Sequence, residues 1–141
     1  MWWLFAKYRV TLSEGGAVAA QDTATWSLTT TEIDLTEGKH YWEVELLSQS
    51  VMNIYIGISR PNLDPTGRYY TQGCPDGWFV YAASGGLCGN GKEDDDRAGP
   101  YKQGDHVGVL LDLDNGSLRF FKNGVQHGPG YAAGSVTGPV V

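Results

Sequence analysis

Hydrophobic and polar residues alternate along much of this chain, and a period of two is the spacing of a half-buried β-strand. The segment His40–Leu46 shows the alternation best, because Trp42, Val44 and Leu46 fall on one face. No window of eleven or more residues has the 3.6-residue period of an amphipathic helix. The pattern therefore predicts an all-β fold.

A second strand is predicted for residues 53–59, where Ile54, Ile56 and Ile58 share one face. Gly57 falls between them, and a glycine inside a strand marks a place where another backbone or side chain comes close. We therefore expect this strand to lie near the middle of a sheet.

Two Asn-Gly pairs predict hairpin turns, because both residues of such a pair accept a positive φ. Asn115-Gly116 joins the β-rich runs 107–113 and 118–122, and Asn123-Gly124 follows after one more strand. Consecutive hairpins make an antiparallel meander. Weaker strands are predicted at residues 8–12, 17–20, 25–28, 32–35 and 78–81. About nine short strands with frequent turns indicate an antiparallel β-sandwich.

Two segments rich in Gly, Pro, Asp and Asn, residues 61–76 and 84–103, are predicted to be long loops. Loops of this length in a compact domain are commonly functional. We expect a binding site to lie there.

The length and net charge of the chain limit the classes of function that it can have. The 141 residues suit a single domain spanning 1–141. Ten Lys and Arg against sixteen Asp and Glu give 10 − 16 = −6, which argues against binding nucleic acid or an anionic membrane. Cys74 and Cys88 form no CxxC pair, and no run approaches 18 apolar residues, so we expect a soluble cytoplasmic protein. Trp26, Trp42 and Trp78 lie in alternating segments and are predicted to be core residues.

No catalytic or cofactor motif emerges. Residues 86–92 fit GxxxxGK, but Glu93 replaces the Ser or Thr that a nucleotide loop needs for magnesium, so a Gly-rich surface loop is the better interpretation. The three histidines, His40, His106 and His127, have no partner at metal-ligand spacing. The run Glu93–Asp96 leaves a weak calcium site as a minor alternative. We predict a protein without enzymatic activity or cofactor.

Several short motifs occur in an order that resembles the SPRY domain, over about residues 12–130. They are Gly38–Val44, Ile56–Ser59, Gly77-Trp78 with Tyr81, Gly104-Asp105, Val107–Val109, Leu111–Asp114 and Phe121–Gly124. The resemblance implies a bent antiparallel β-sandwich without enzymatic activity, whose loops at one end bind a short peptide segment of another protein. Relatives occur in ubiquitin ligases, adaptor or scaffold proteins and calcium-release channels.

The resemblance also implies a partner-binding site. Arg60 directly follows the Ile56–Ser59 motif, and Tyr70-Thr71 is similar to a Tyr-Thr pair whose ring closes over the ligand. The candidate residues are Arg60 and Tyr70, together with Asn62, Tyr69 and Gln72, which are their neighbours in the sequence only. Exposed Tyr and Arg are enriched at interface hot spots. The alternative, left open here, is that Tyr70 packs on the sheet edge and Arg60 lies solvated at the rim.

The ends of the chain raise a further expectation. Relatives carry another strand or two after the Lys-Asn-Gly hairpin, so we expect this sandwich to lack its final strand and to expose a sheet edge. Either the apolar segment Trp2–Tyr8 covers that edge, or two copies exchange it and dimerise. A third expectation is that the sequence is a piece of a longer protein.

A different class of function stays open as well. A lectin-like sandwich that binds carbohydrate with calcium in the loop 93–96 shares the general architecture.

Overall fold

The structure is a computed structural model and describes residues 4–6, 10–21, 28–31, 33–64 and 67–141. Within these ranges the chain forms twelve β-strands, all paired antiparallel, and one 3-10 helical turn at Glu14–Gly16. The strands are β1 (Leu4–Ala6), β2 (Val10–Ser13), β3 (Val18–Gln21), β4 (Thr29–Thr31), β5 (Lys39–Glu45), β6 (Tyr55–Ser59), β7 (Gly77–Tyr81), β8 (Gly86–Gly89), β9 (Lys92–Asp95), β10 (His106–Asp112), β11 (Ser117–Lys122) and β12 (Val125–Gln126). None of the helices in these ranges is long and apolar enough to cross a membrane.

The first four-stranded sheet has the order β12-β11-β10-β5. Its register sets Val109 of β10 opposite Trp42 of β5 and opposite Phe120 of β11. Val107, Val109 and Leu111 are completely buried, because every second residue of β10 points into the core. The alternation in the sequence predicted these strands correctly to within two residues at each end.

The two Asn-Gly turns of this sheet differ in length. Asn123 and Gly124 have φ of +51° and +84° and form a two-residue turn between β11 and β12. At the other turn Gly116 has φ +75° whereas Asn115 does not have a positive φ. Four residues connect β10 to β11 there, and the Gly116 amide donates to the Asp112 carbonyl over 2.7 Å. The predicted meander is confirmed.

The second four-stranded sheet has the order β6-β7-β8-β9. A third Asn-Gly pair, Asn90 and Gly91 with φ of +49° and +89°, connects β8 to β9. The prediction of one long loop over residues 84–103 is therefore wrong in its first half. Strand β9 has the sequence Lys-Glu-Asp-Asp and lies at the sheet edge, where charged side chains oppose pairing with another chain.

Strand β6 lies at the other edge of this sheet, so the expectation that it occupies the middle is wrong. The close approach predicted at Gly57 is nevertheless present. A Cβ atom there would lie 1.9 Å from the carbonyl oxygen of Trp78 on β7. Glycine is needed at position 57 because the backbone of β7 lies too close for a side chain. This close approach involves one neighbouring strand, so it does not require β6 to lie in the middle of the sheet.

The last residues of the chain lie against the β6 edge. The Ser59 amide donates to the Val141 carbonyl over 3.1 Å, and the Val141 amide donates back over 2.9 Å. Val140 forms an isolated antiparallel bridge with Leu35. The N-terminal strand β1 pairs with β4, so the described part of that segment does not occupy the β6 edge. Strand exchange between two copies stays a prediction.

The N-terminal region was predicted less accurately. The strands expected at 8–12 and 17–20 appear as β2 and β3, displaced by one or two residues. The strand expected at 32–35 is wrong, because Ile33 and Asp34 are not in a strand and Leu35 forms only the isolated bridge. Of the strand expected at 25–28, residues 25–27 lie outside the described residues and Leu28 is not in a strand. Strands of three residues, such as β1 and β4, are too short to show an alternating pattern.

The two four-stranded sheets pack face to face around one hydrophobic core, so the β-sandwich is confirmed. The second sheet contributes Ile58 and Trp78; Trp78 is 1% exposed and its indole N–H donates to the Ser135 carbonyl over 3.0 Å. Trp42 is only half-buried and packs against the core, and Trp26 lies outside the described residues.

Tyr131 links the two sheets. Its backbone pairs with Leu118 of β11 in an isolated bridge, and its buried hydroxyl donates to the Cys88 carbonyl of β8 over 2.8 Å. The segment after β12 therefore holds the sheets together from inside the sandwich.

Candidate functional site

The loop between β6 and β7 is anchored at its base and in its second half. The Arg60 amide donates to the Asp76 carbonyl over 2.9 Å and closes the base. The two residues of the β8–β9 turn donate their amides to the carbonyls of Cys74, over 2.9 Å, and Gln72, over 2.8 Å. Sequence analysis predicted this loop, and its described residues, 61–64 and 67–76, contain no strand or helix.

Three aromatic rings form a stack on the outer face of the second sheet. Tyr55 of β6 lies opposite Tyr81 of β7, and their rings are nearly parallel with centroids 4.6 Å apart. Tyr70 of the loop stacks on Tyr55 at 4.2 Å and 16°. We call Tyr70, Tyr55 and Tyr81 the tyrosine stack. Tyr55 is sandwiched between the other two rings, and the side chain of Tyr70 is half-buried.

Sequence analysis missed Tyr55 and Tyr81, although the signal was present. Both occupy positions that alternate with core-facing residues: Ile54 and Ile56 flank Tyr55, and Val80 precedes Tyr81. An antiparallel pairing with this register brings the two outward rings into direct cross-strand contact, a type of pair that stabilises a sheet. The register itself could not be deduced, because a shift of one residue would send each tyrosine to the other face.

The phenols of Tyr55 and Tyr70 are neutral hydrogen-bonding groups at physiological pH. Burial is the largest cause that raises the pKa of Tyr55, and the nearby Asp94 carboxylate adds to it. Burial likewise raises the pKa of Tyr70, with an opposing contribution from Arg68. Protonated phenols of this kind can donate a hydrogen bond to a ligand while their rings pack against it. They do not supply a base for catalysis.

Tyr69 stabilises the loop. Its hydroxyl donates to the Asp64 carbonyl over 2.9 Å, and its half-buried ring lies against Gly67. A Cβ atom on Gly67 would come within 2.5 Å of that ring. Burial raises the pKa of the Tyr69 phenol, so the group remains a donor. Tyr69 therefore closes the first half of the loop upon itself, next to Tyr70.

Arg60 binds the C-terminal segment of its own chain. Its guanidinium donates to the Thr137 carbonyl, to the Thr137 hydroxyl over 2.5 Å and to the Pro139 carbonyl over 3.2 Å. The same group lies 5.0 Å from the centre of the Trp78 ring, within cation–π range. These three hydrogen bonds leave at most two of the five guanidinium N–H groups for other partners. Arg60 thus positions residues 137–139 against the sandwich.

The predicted set does not converge on one point. Arg60 follows the last residue of β6, whereas Tyr70 stacks on the first, and five residues of extended strand span about 17 Å. Asn62 and Gln72 are exposed in the loop, Asn62 with φ +59°. The five residues are therefore spread along the loop and the length of β6 rather than gathered at one point.

The acidic run Glu93–Asp96 does not form a calcium site. Asp94 accepts from the Ser84 hydroxyl and pairs with Arg97 over 2.6 Å, while Asp96 lies 3.8 Å from Lys92. Among the described residues no three His, Cys, Asp or Glu side chains come together in a way that could hold a metal ion. The geometry thus offers no support for calcium-dependent carbohydrate binding.

A scan against protein-family models matches the SPRY domain over residues 39–141. The chain belongs to the SPRY domain family. SPRY domains are protein-interaction modules, so this chain is one as well. No curated protein sequence is similar enough to the chain to count as a relative.

Solved SPRY structures share the fold at low sequence identity. The SPRY domain of human HERC1 is 22% identical, with a TM-score of 0.64, and the match covers 79% of this chain and 69% of that one. The PSpry domain of TRIM65 is 20% identical, with a TM-score of 0.72, and the match covers 99% of this chain and 80% of that one. At these identities the comparison establishes the fold alone.

Proposed function

We propose that this SPRY domain binds a short extended or turn-forming segment of a partner protein on the surface between Tyr70 and the end of β6. The observation that carries the proposal is the stacking of Tyr70 on Tyr55, on a loop whose backbone is anchored at its base and in its second half. A large ring that is held rigidly loses little conformational freedom on binding, which is the property of an interface hot spot.

The other candidate residues have different parts. Tyr69 stabilises the loop beside Tyr70, and exposed Asn62 and Gln72 supply polar groups at its rim. Arg60 fixes residues 137–139 at the far end of the surface and offers its remaining N–H groups to the segment. Packing dominates this arrangement, so affinity should depend little on salt. A role in an adaptor, scaffold, ubiquitin ligase or channel, and a cytoplasmic location, belong to the same proposal.

The test starts by capturing partners from a cell lysate with wild-type domain and identifying them by mass spectrometry. A synthetic peptide from the captured segment is then titrated calorimetrically against Tyr70→Ala and Tyr70→Phe. We expect Tyr70→Ala to weaken binding by about 2 kcal/mol or more. Tyr70→Phe retains the stacking ring and should bind nearly as well as wild type.

The control is Val125→Ala, which removes an exposed apolar side chain from β12 of the other sheet. Circular dichroism melts establish that all three variants fold. Unchanged affinity in Tyr70→Ala would contradict the proposal and move the site away from this loop.

A further inference from the structure

A second exposed surface lies on the outer face of the first sheet, on the side of the sandwich away from the tyrosine stack. Tyr41 of β5 and Phe121 of β11 meet across Gly108 of β10, edge to face, with ring centroids 5.8 Å apart. A Cβ atom on Gly108 would lie 2.4 Å from the Tyr41 hydroxyl oxygen, so the glycine makes room for this crossing. Leu110 lies beside Tyr41 in the register. Tyr41 is 47% exposed, so the apolar stripe is open to solvent.

Charged side chains flank this stripe, with opposite patterns at its two ends. At one end the β5 residue is basic and its β10 neighbour is acidic: Lys39 lies 3.9 Å from Asp112. At the other end the order is reversed. Glu45 of β5 lies opposite His106 of β10, and His106 Nδ1 lies 3.3 Å from Glu43. Lys39 and Glu45 at the two ends of β5 therefore carry opposite charges, and Asp112 and His106 occupy the two ends of this face of β10.

We propose that this face binds a second copy of the chain through a two-fold axis that runs across the strands in the plane of the interface. Such an axis sets each strand against the same strand of the other copy in the reverse direction. On β5, Lys39 then faces the partner's Glu45. On β10, Asp112 faces the partner's His106. Every charged residue at the ends of these strands meets the opposite charge, or a histidine that can donate to it.

The centre of the face is complementary under the same rotation. Leu110 faces the partner's Gly108, and the exposed Arg119 of β11 faces the partner's Phe121 ring, an arrangement that favours a cation–π contact. Tyr41 faces the partner's Glu43, which already accepts a hydrogen bond from Tyr41 within one copy over 2.9 Å.

A two-fold axis along β10 itself is unfavourable. It would set Asp112 against the partner's Asp112 and place two carboxylates together in the interface. Like charges directly opposite each other destabilise an interface. The carboxylate at the end of β10 therefore disfavours an axis along that strand.

The size of the face indicates a weak and reversible dimer. Four strands are about 19 Å wide and seven residues are about 23 Å long, which is less than the interface of a permanent dimer covers. We therefore expect the domain to associate at the high local concentrations that tethering or clustering creates.

The experiment is sedimentation velocity of the wild-type chain from micromolar to millimolar concentration, with Lys39→Glu, Glu45→Lys, and an equimolar mixture of the two. Each single variant sets like charges against each other twice in a symmetric dimer, and we expect its dissociation constant to rise about tenfold or more. In the mixture both contacts of the heterodimer again join opposite charges, so association should return. Lys102→Glu and Glu14→Lys make the same charge changes at exposed positions outside this face and serve as matched controls.

Restored association in the mixture, with controls like wild type, would support the proposal, since strand exchange would respond to none of these substitutions. A wild-type chain that stays monomeric at millimolar concentration would overturn it. So would a dimer whose dissociation constant is the same in the face variants and in the controls.

Discussion

Replacing Asp105 by asparagine should destabilise this domain at neutral pH and have little effect in acid. The Asp105 side chain precedes β10 and is 4% exposed. One carboxylate oxygen accepts the Lys102 amide over 2.9 Å, and the other accepts the Asn123 side-chain amide over 3.0 Å. The Lys122 ammonium lies 3.8 Å away. Asp105 thus connects the loop before β10 to the turn after β11.

The magnitude follows from the bonds that asparagine cannot make. Its amide keeps one acceptor oxygen but presents an N–H group to one of the two donors, Lys102 or Asn123. Losing one charge-assisted hydrogen bond costs about 1.5–3 kcal/mol, and the half-exposed pair with Lys122 adds less than about 1 kcal/mol. We expect the free energy of unfolding to fall by about 2–3 kcal/mol at neutral pH.

The pH dependence follows from the pKa of Asp105. The hydrogen bond from Asn123 is the largest cause that lowers this pKa, and the Lys102 amide and Lys122 lower it further, against an opposing effect of burial. The folded pKa therefore lies below the unfolded value of about 3.9. The stabilisation is complete above the unfolded pKa and is lost as the pH falls through the folded pKa.

Urea unfolding of wild type, Asp105→Asn and the exposed control Asp34→Asn, at several values between about pH 7 and about pH 2, measures both effects. The gap between wild type and Asp105→Asn should close at the acid end, while Asp34→Asn follows wild type throughout. Equal stabilities at pH 7, or a gap that stays constant into acid, would refute the reasoning.

Three further substitutions test the packing by chemical denaturation. Gly57→Ala should lower the free energy of unfolding by about 3 kcal/mol, because the added Cβ atom would overlap the Trp78 carbonyl. The control Gly73→Ala, where the Cβ atom would have nothing within 4 Å, should be nearly neutral. Equal effects of the two substitutions would contradict the close approach at Gly57. Tyr131→Phe should lower the free energy of unfolding by about 1–2 kcal/mol, because it removes the buried hydroxyl that donates to the Cys88 carbonyl. An unchanged denaturation midpoint would mean that this hydrogen bond contributes nothing to stability. Arg60→Ala should lower the free energy of unfolding by about 1 kcal/mol, because it releases the C-terminal segment. We also expect faster proteolysis within residues 135–141. Full protease resistance would show that other contacts hold this segment.

Local pattern was sufficient wherever a strand is long enough to show its period. Strands β5, β10 and β11 were predicted because six or seven residues alternate between core and solvent. It failed for one hairpin of the second sheet. The hairpin of β8 and β9 was taken for a loop, since β8 has glycine at both ends and is buried throughout, and β9 is almost entirely charged. Its Asn90-Gly91 turn was the signal that could have revealed it.

The candidate site was predicted in part. The loop was identified from its composition and Tyr70 from the family resemblance. The stack beneath Tyr70 was not, because its three members come from two strands and a loop, and their contact depends on a register and on a loop that returns over the sheet. The role of Arg60 was equally inaccessible, since it contacts Thr137, 77 positions further along the chain.

By itself, then, the sequence determined the all-β class, the antiparallel meander and the family, because alternation, turn dihedrals and short motifs are properties of neighbouring residues. Only the tertiary structure decided that Tyr70 joins an aromatic stack, that Arg60 is bound to its own chain, and that the two ends of β5 on the outer face of the first sheet carry opposite charges. These features depend on which strands pair and in which register, and that is settled by burying the whole set of apolar residues at once rather than by any local segment.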